Sequence, residues 1–135
     1  MTRVLSNLVI GCVLVFGAGC SKTGGGGSGV AQETSLQEIG DLIRATTQSN
    51  GKGPAKVADF DKLQSMYPSG YQAVKSGDVV VIWGAGMKGE GAKGSGGDVI
   101  AYEKDAPNSG GFVLLTSGEV KKMSADEFKS APKAK

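Results

Sequence analysis

No histidine occurs in the 135 residues. That removes the side chain most often used as a general base near neutral pH, and the commonest imidazole metal ligand. Cysteine is almost as scarce: Cys12 and Cys20 are the two present, and both lie near the N-terminus. A domain folded beyond them has no disulfide, no thiol nucleophile and no thiolate metal site, so its core must hold it without staples. Neither sign of charge dominates, since 15 basic residues against 13 acidic ones leave a formal net charge of +2. The lysines are scattered and form no run, which argues against nucleic acid as a partner. Without histidine a nucleophile would need a Lys or carboxylate base, and no spacing points to one, so no enzyme activity and no metal are expected.

Glycine is abundant, with 23 residues. The chain opens Met1-Thr2-Arg3, then runs mostly apolar from Val4 to Phe16 and ends in Gly17-Ala18-Gly19-Cys20. A short positive start, an apolar stretch and small residues are the grammar of an export signal. The stretch is shorter than the roughly 20 residues a spanning helix needs. The small-small-Cys ending resembles the lipobox of bacterial lipoproteins, with Gly17 where that family prefers Leu. The resemblance implies that residues 1–19 are a signal peptide and that Cys20 becomes the first mature residue. It also implies fatty chains such as palmitate on that thiol, a covalent lipid and no other cofactor. The implied partner is the membrane, together with envelope proteins. The implied location is the bacterial cell envelope, facing the periplasm. Ser21 stands where Asp would resemble an inner-membrane retention signal, which favours the outer membrane.

Residues 20–33, with the tract SKTGGGGSG, read as a flexible Gly/Ser-rich linker. Residues 34–130 read as a small α+β domain, and residues 131–135 as a disordered tail. Ser35-Leu36-Gln37-Glu38 is a capping box, and Leu36, Ile39, Leu42 and Ile43 then fall on one helix face. Val57, Phe60, Leu63 and Met66 predict a second helix, stopped by Pro68. Tyr71 and Val74 suggest one more turn before Gly77. Val79 to Trp83 is an unbroken apolar run, which predicts a strand buried on both faces. Strands over 99–102, 112–116 and 120–123 follow, with a turn over 105–110 and a two-residue hairpin signal at Ser117-Gly118. Ser124 to Glu127 is a second capping box, opening a short helix with Phe128 inward. Helices before strands, joined by short connections, predict N-terminal helices packed on a three- to four-stranded antiparallel meander.

The segment Gly110 to Met123 resembles the C-terminal hairpin of bacterial prepilin-like exported proteins, with Ser117-Gly118 at the turn and Asn108 where those proteins often carry histidine. The resemblance implies a pilin-like or secretion-machinery component. The glutamate-bearing apolar helix of that family has no counterpart, because no acidic residue precedes Glu33. The overall layout also resembles small uncharacterised bacterial lipoproteins, which implies no activity.

Gly84-Ala85-Gly86-Met87-Lys88-Gly89 matches G-x-G-x-x-G directly after a strand, but the sequence to Gly97 is too glycine-rich to be the helix that nucleotide binding requires. Its other reading is an anion- or small-ligand-binding loop using Gly84, Gly86, Lys88, Gly89 and Lys93. Ser49-x-x-Lys52 and Lys22-Thr23-Gly24 match penicillin-recognising enzymes but fall in a loop and a linker, and are chance. Glu38 and Asp41 share a helix face and read as solvated. Trp83 ends the most apolar strand, and with Tyr67, Tyr71 and Tyr102 it forms a candidate aromatic patch for a protein partner. Three functions follow: a structural or protein-interaction lipoprotein, a pilin-like component, and a ligand binder using loop 84–97.

Overall fold

The computed structural model describes residues 26–88 and 97–135. Cys20, the signal segment, Gly89 and Lys93 lie outside the described residues. The elements run α1 (Gly26–Asn50), a 3-10 helix (Val57–Leu63), α2 (Pro68–Ser76), β1 (Val79–Val81), β2 (Val99–Glu103), α3 (Ala106–Ser109), β3 (Gly111–Leu115), β4 (Val120–Met123) and α4 (Ala125–Ser130). The strands form one antiparallel sheet in the order β1-β2-β3-β4, the expected α+β meander.

Leu36, Ile39, Leu42 and Ile43 are fully buried and press α1 onto one sheet face, against Val79, Val81, Ile100, Ala101 and Leu114. A bulge at Ile100 shifts the β2–β3 register, from Val99 opposite Leu115 to Ala101 opposite Leu114. One strand then has two residues facing one, so consecutive Ile100 and Ala101 both join the α1 cluster. The opposite face holds a smaller cluster of Val99, Val113, Leu115 and Met123, closed by Ala106 and Phe128. Tyr102 and Phe128 stack across it at 4.7 Å between centroids.

Several expectations need correction. The linker predicted over 20–33 is helical from Gly26 onward. Packing overrides glycine's poor propensity there, with Gly29 lying against the Phe112 ring. Ser35 therefore sits inside α1, its hydroxyl donating to the Ala31 carbonyl at 2.9 Å instead of capping. Glu38 is freed from that box and reaches across to α2, accepting the Gly70 amide at 2.8 Å. Glu38 therefore caps a second helix instead of facing solvent. A Cβ at Gly70 would lie 2.8 Å from that of Glu38, so the two helices touch through a glycine.

The second predicted helix is a 3-10 turn, and Pro68 opens α2 instead of only ending what precedes it. The run Val79–Trp83 is not buried on both faces. It pairs only over Val79–Val81, at the sheet edge, leaving Val80 37% exposed and Trp83 38%. The predicted turn over 105–110 contains the one-turn helix α3.

The tail expected to be disordered is bound. Val99 donates to the Pro132 carbonyl at 2.8 Å, and the Ala134 amide donates to the Val99 carbonyl at 2.9 Å. This parallel bridge occupies the β2 edge where β1 has ended, and it buries Ala134. The Lys133 ammonium donates to the Phe128 and Ala131 carbonyls and lies 4.1 Å from the Phe128 ring centroid. Burial pushes the Lys133 pKa below the ordinary lysine value, and those carbonyls and the ring are the groups that favour the cation.

Candidate functional site

The two ends of the sheet differ in what they present. At the end where α1 begins, a groove of about 510 Å³ lies between α1, α2 and the β1–β2 ends, lined by Gln32, Ser35, Asp78, Glu103 and Lys104 among others. Most of its charges are already engaged, with Asp105 exposed at its edge. Lys104 pairs with Asp78 at 3.1 Å, and the Glu103 carboxylate accepts the Phe112 amide at 2.6 Å. The Asp78 carboxyl is held below its usual value by the Ser76 hydroxyl and by Lys104.

The other end is built around Trp83. The chain leaves β1 and turns at Gly84, whose φ of 85° suits glycine. The Gly84 amide donates to the Pro54 carbonyl at 2.7 Å. Gly53 lies so close to the Ala85 carbonyl that any side chain would strike it. The loop over residues 51–56 is thus clamped against the segment that follows β1. Trp83 rests on Phe60 of the 3-10 helix at 5.8 Å between centroids and is left partly exposed. Lys52, Lys56 and Lys62 are exposed around this end and form no ion pair among the described residues. Asp59 is turned to the backbone, accepting the Ala55 amide at 2.7 Å and the Lys56 amide at 3.2 Å.

The four aromatic candidates do not form one patch. Trp83 lies on Phe60, whereas Tyr102 is on the opposite sheet face under Phe128. The reason is the pleat: Tyr102 sits across from exposed Val80 in the β1–β2 register, not from the inward Val79 or Val81. Tyr67 and Tyr71 pack against the α1 cluster. The Tyr71 hydroxyl donates to Asp61 at 2.8 Å, and that bond raises its pKa above the usual phenol value.

The described part of the glycine-rich loop is tied down. Ala85 is buried, Gly86 packs on Thr47, and Met87 lies against Gly40. The Lys88 amide donates to the Thr116 carbonyl at 2.8 Å, and its ammonium pairs with Asp98 at 3.0 Å. The amides of Gly84 and Lys88 are therefore spoken for by carbonyls and do not cradle an anion. Beside them is an open groove of about 440 Å³ lined by Gly86, Lys88, Asp98, Thr116 and Lys133 among others. The Thr116 hydroxyl is buried there without a hydrogen-bond partner among the described residues, as is that of Thr46 beside the 3-10 helix. Sequence reasoning missed both threonines, because an isolated Thr carries no pattern until its neighbours are known.

Among the described residues no group of His, Cys, Asp or Glu is placed to hold a metal, and no helix is long and apolar enough to cross a membrane. No protein-family model, curated protein or solved structure matches this chain.

Proposed function

We propose that this chain is a lipid-anchored protein of the bacterial envelope whose small α+β domain serves as a structural or protein-interaction module without catalysis. The observation that carries the reading is the apolar stretch ending in Gly17-Ala18-Gly19-Cys20. Among the described residues, the packed core is made by residues from Leu36 onward. Acylation of Cys20 by more than one chain gives durable attachment, whereas one chain alone is marginal. Intact-mass measurement of the mature protein tests this. Acyl chains on an N-terminal Cys20 are expected, and Cys20→Ser should release the protein from membranes. A mature form starting elsewhere without lipid would overturn the anchor.

A pilin-like or secretion-machinery component is the second reading. It is favoured by α1, a 25-residue helix lying on an antiparallel meander that ends in the β3–β4 hairpin. That reading predicts oligomers that survive crosslinking in the Cys20→Ser protein; the lipoprotein reading predicts none. Ligand binding by loop 84–97 is the third, and the engaged amides of Gly84 and Lys88 weigh against it.

A further inference from the structure

We infer that the Trp83 end of the domain, with Lys52 and Lys56, is its docking surface for an acidic protein segment, presented away from the bilayer. The part about presentation rests on the lipid anchor at Cys20; the docking surface does not.

The start of α1, which follows Cys20 in the chain, and this surface lie at opposite ends of the helix. Residues 20–25 separate Cys20 from the start of α1 at Gly26, a span of at most about 20 Å when extended. Gly29 packs on Phe112 at the near end, and Thr47 packs on Gly86 at the far end. The rise of α1 between those levels is about 27 Å. The near end carries the neutralised pair Asp78–Lys104 and the engaged Glu103.

The far end is chemically different. Trp83 is the single tryptophan and is left 38% exposed, on a clamped support and not on a loose loop. Lys52 and Lys56 flank Pro54, whose carbonyl holds Gly84. Both are exposed, and no carboxylate pairs with either among the described residues. The nearest acid in sequence, Asp59, spends one oxygen on two backbone amides and makes no ion pair with either lysine. A rigid, partly exposed indole, on a segment bonded to a loop whose two lysines carry no ion pair among the described residues, suits a partner that brings carboxylates to the lysines and apolar stems to the ring.

Because Trp83 is the sole indole, its emission reports contact directly. The lipidated full chain in phosphatidylcholine vesicles, and the Cys20→Ser protein in solution, are titrated with poly-L-glutamate. A saturable change in Trp83 emission is expected in both, weakening several-fold when salt rises to about 0.5 M. Lys52→Glu with Lys56→Glu should weaken it by about tenfold or more. The same charge change on the remote strand β4, Lys121→Glu with Lys122→Glu, should leave it within about twofold. No change in emission, or equal loss in the two double variants, overturns the surface. A stronger response to phosphatidylglycerol vesicles than to poly-L-glutamate also overturns it, in favour of a lipid partner. Missing acyl chains on Cys20 would sink the anchor while leaving the titration of the soluble protein to judge the surface.

Discussion

At the scale of single residues, the positions that matter most are those where two backbones meet. Gly53 is one, because a methyl group there would collide with the Ala85 carbonyl. Gly53→Ala should cost about 2–3 kcal/mol, read as a lowered urea midpoint. The change should also alter Trp83 emission, since the clamped loop supports that ring's surroundings. Glu38 is another. Its carboxylate satisfies an orphan donor at the start of α2. Glu38→Ala should cost about 1 kcal/mol, whereas Gln37→Ala on the exposed face of α1 should fall within about 0.5 kcal/mol. Nothing local marks Glu38 as a cap for α2, because its partner Gly70 is 32 positions away in the chain.

Among the elements, α4 is the one whose start the sequence specifies most fully. Ser124 and Glu127 cap it reciprocally, the Ser124 amide donating to Glu127 at 2.7 Å and the Glu127 amide to the Ser124 hydroxyl at 3.3 Å. The Glu127 carboxyl is held below its ordinary pKa, chiefly by that Ser124 amide. Its folded value therefore lies under its unfolded one. The contribution of this group is complete above the ordinary carboxylate range and is lost as pH falls through the folded value. Glu127→Gln should flatten the acid limb of stability measured by denaturant melts between about pH 6 and pH 3. The Ser35 box has the same letters and fails, because residues before it pack well enough to continue the helix. The strands were legible for the same reason that α4 was: short apolar runs and the turn residues that bound them act over a few positions, as at Gly118 with its φ of 91°. The bound tail was not legible. Pro132, Lys133 and Ala134 look frayed until the vacant β2 edge beside them is known. Ala134→Asp should peel that segment away and speed hydrogen exchange at the Val99 amide, which Pro132 protects.

For the molecule as a whole, the two clusters share one sheet and should unfold together. Loss of helix by circular dichroism and exposure of Trp83 by fluorescence are expected to coincide in one transition. Leu42→Ala in the larger cluster should lower stability by about 2–5 kcal/mol without separating the two signals. The candidate surface was only half legible at this scale. Trp83 stands out as a lone indole ending an apolar run, yet nothing in the sequence fixes which side the tyrosines take, and the pleat sends Tyr102 to the other side. The unequal edges of the sheet have a further effect. On β4, Lys121 and Lys122 repel a second copy. Asp78 and Ile82 bond across to Lys104 and Ile100 at the two ends of β1, so by antiparallel alternation Val80 faces β2 as well, and Val79 and Val81 turn their amides and carbonyls outward. No charged residue or proline interrupts Val79 to Val81. Concentrated samples should therefore clump through this margin first, and a lysine in place of Val80 should delay turbidity while the fold stays intact.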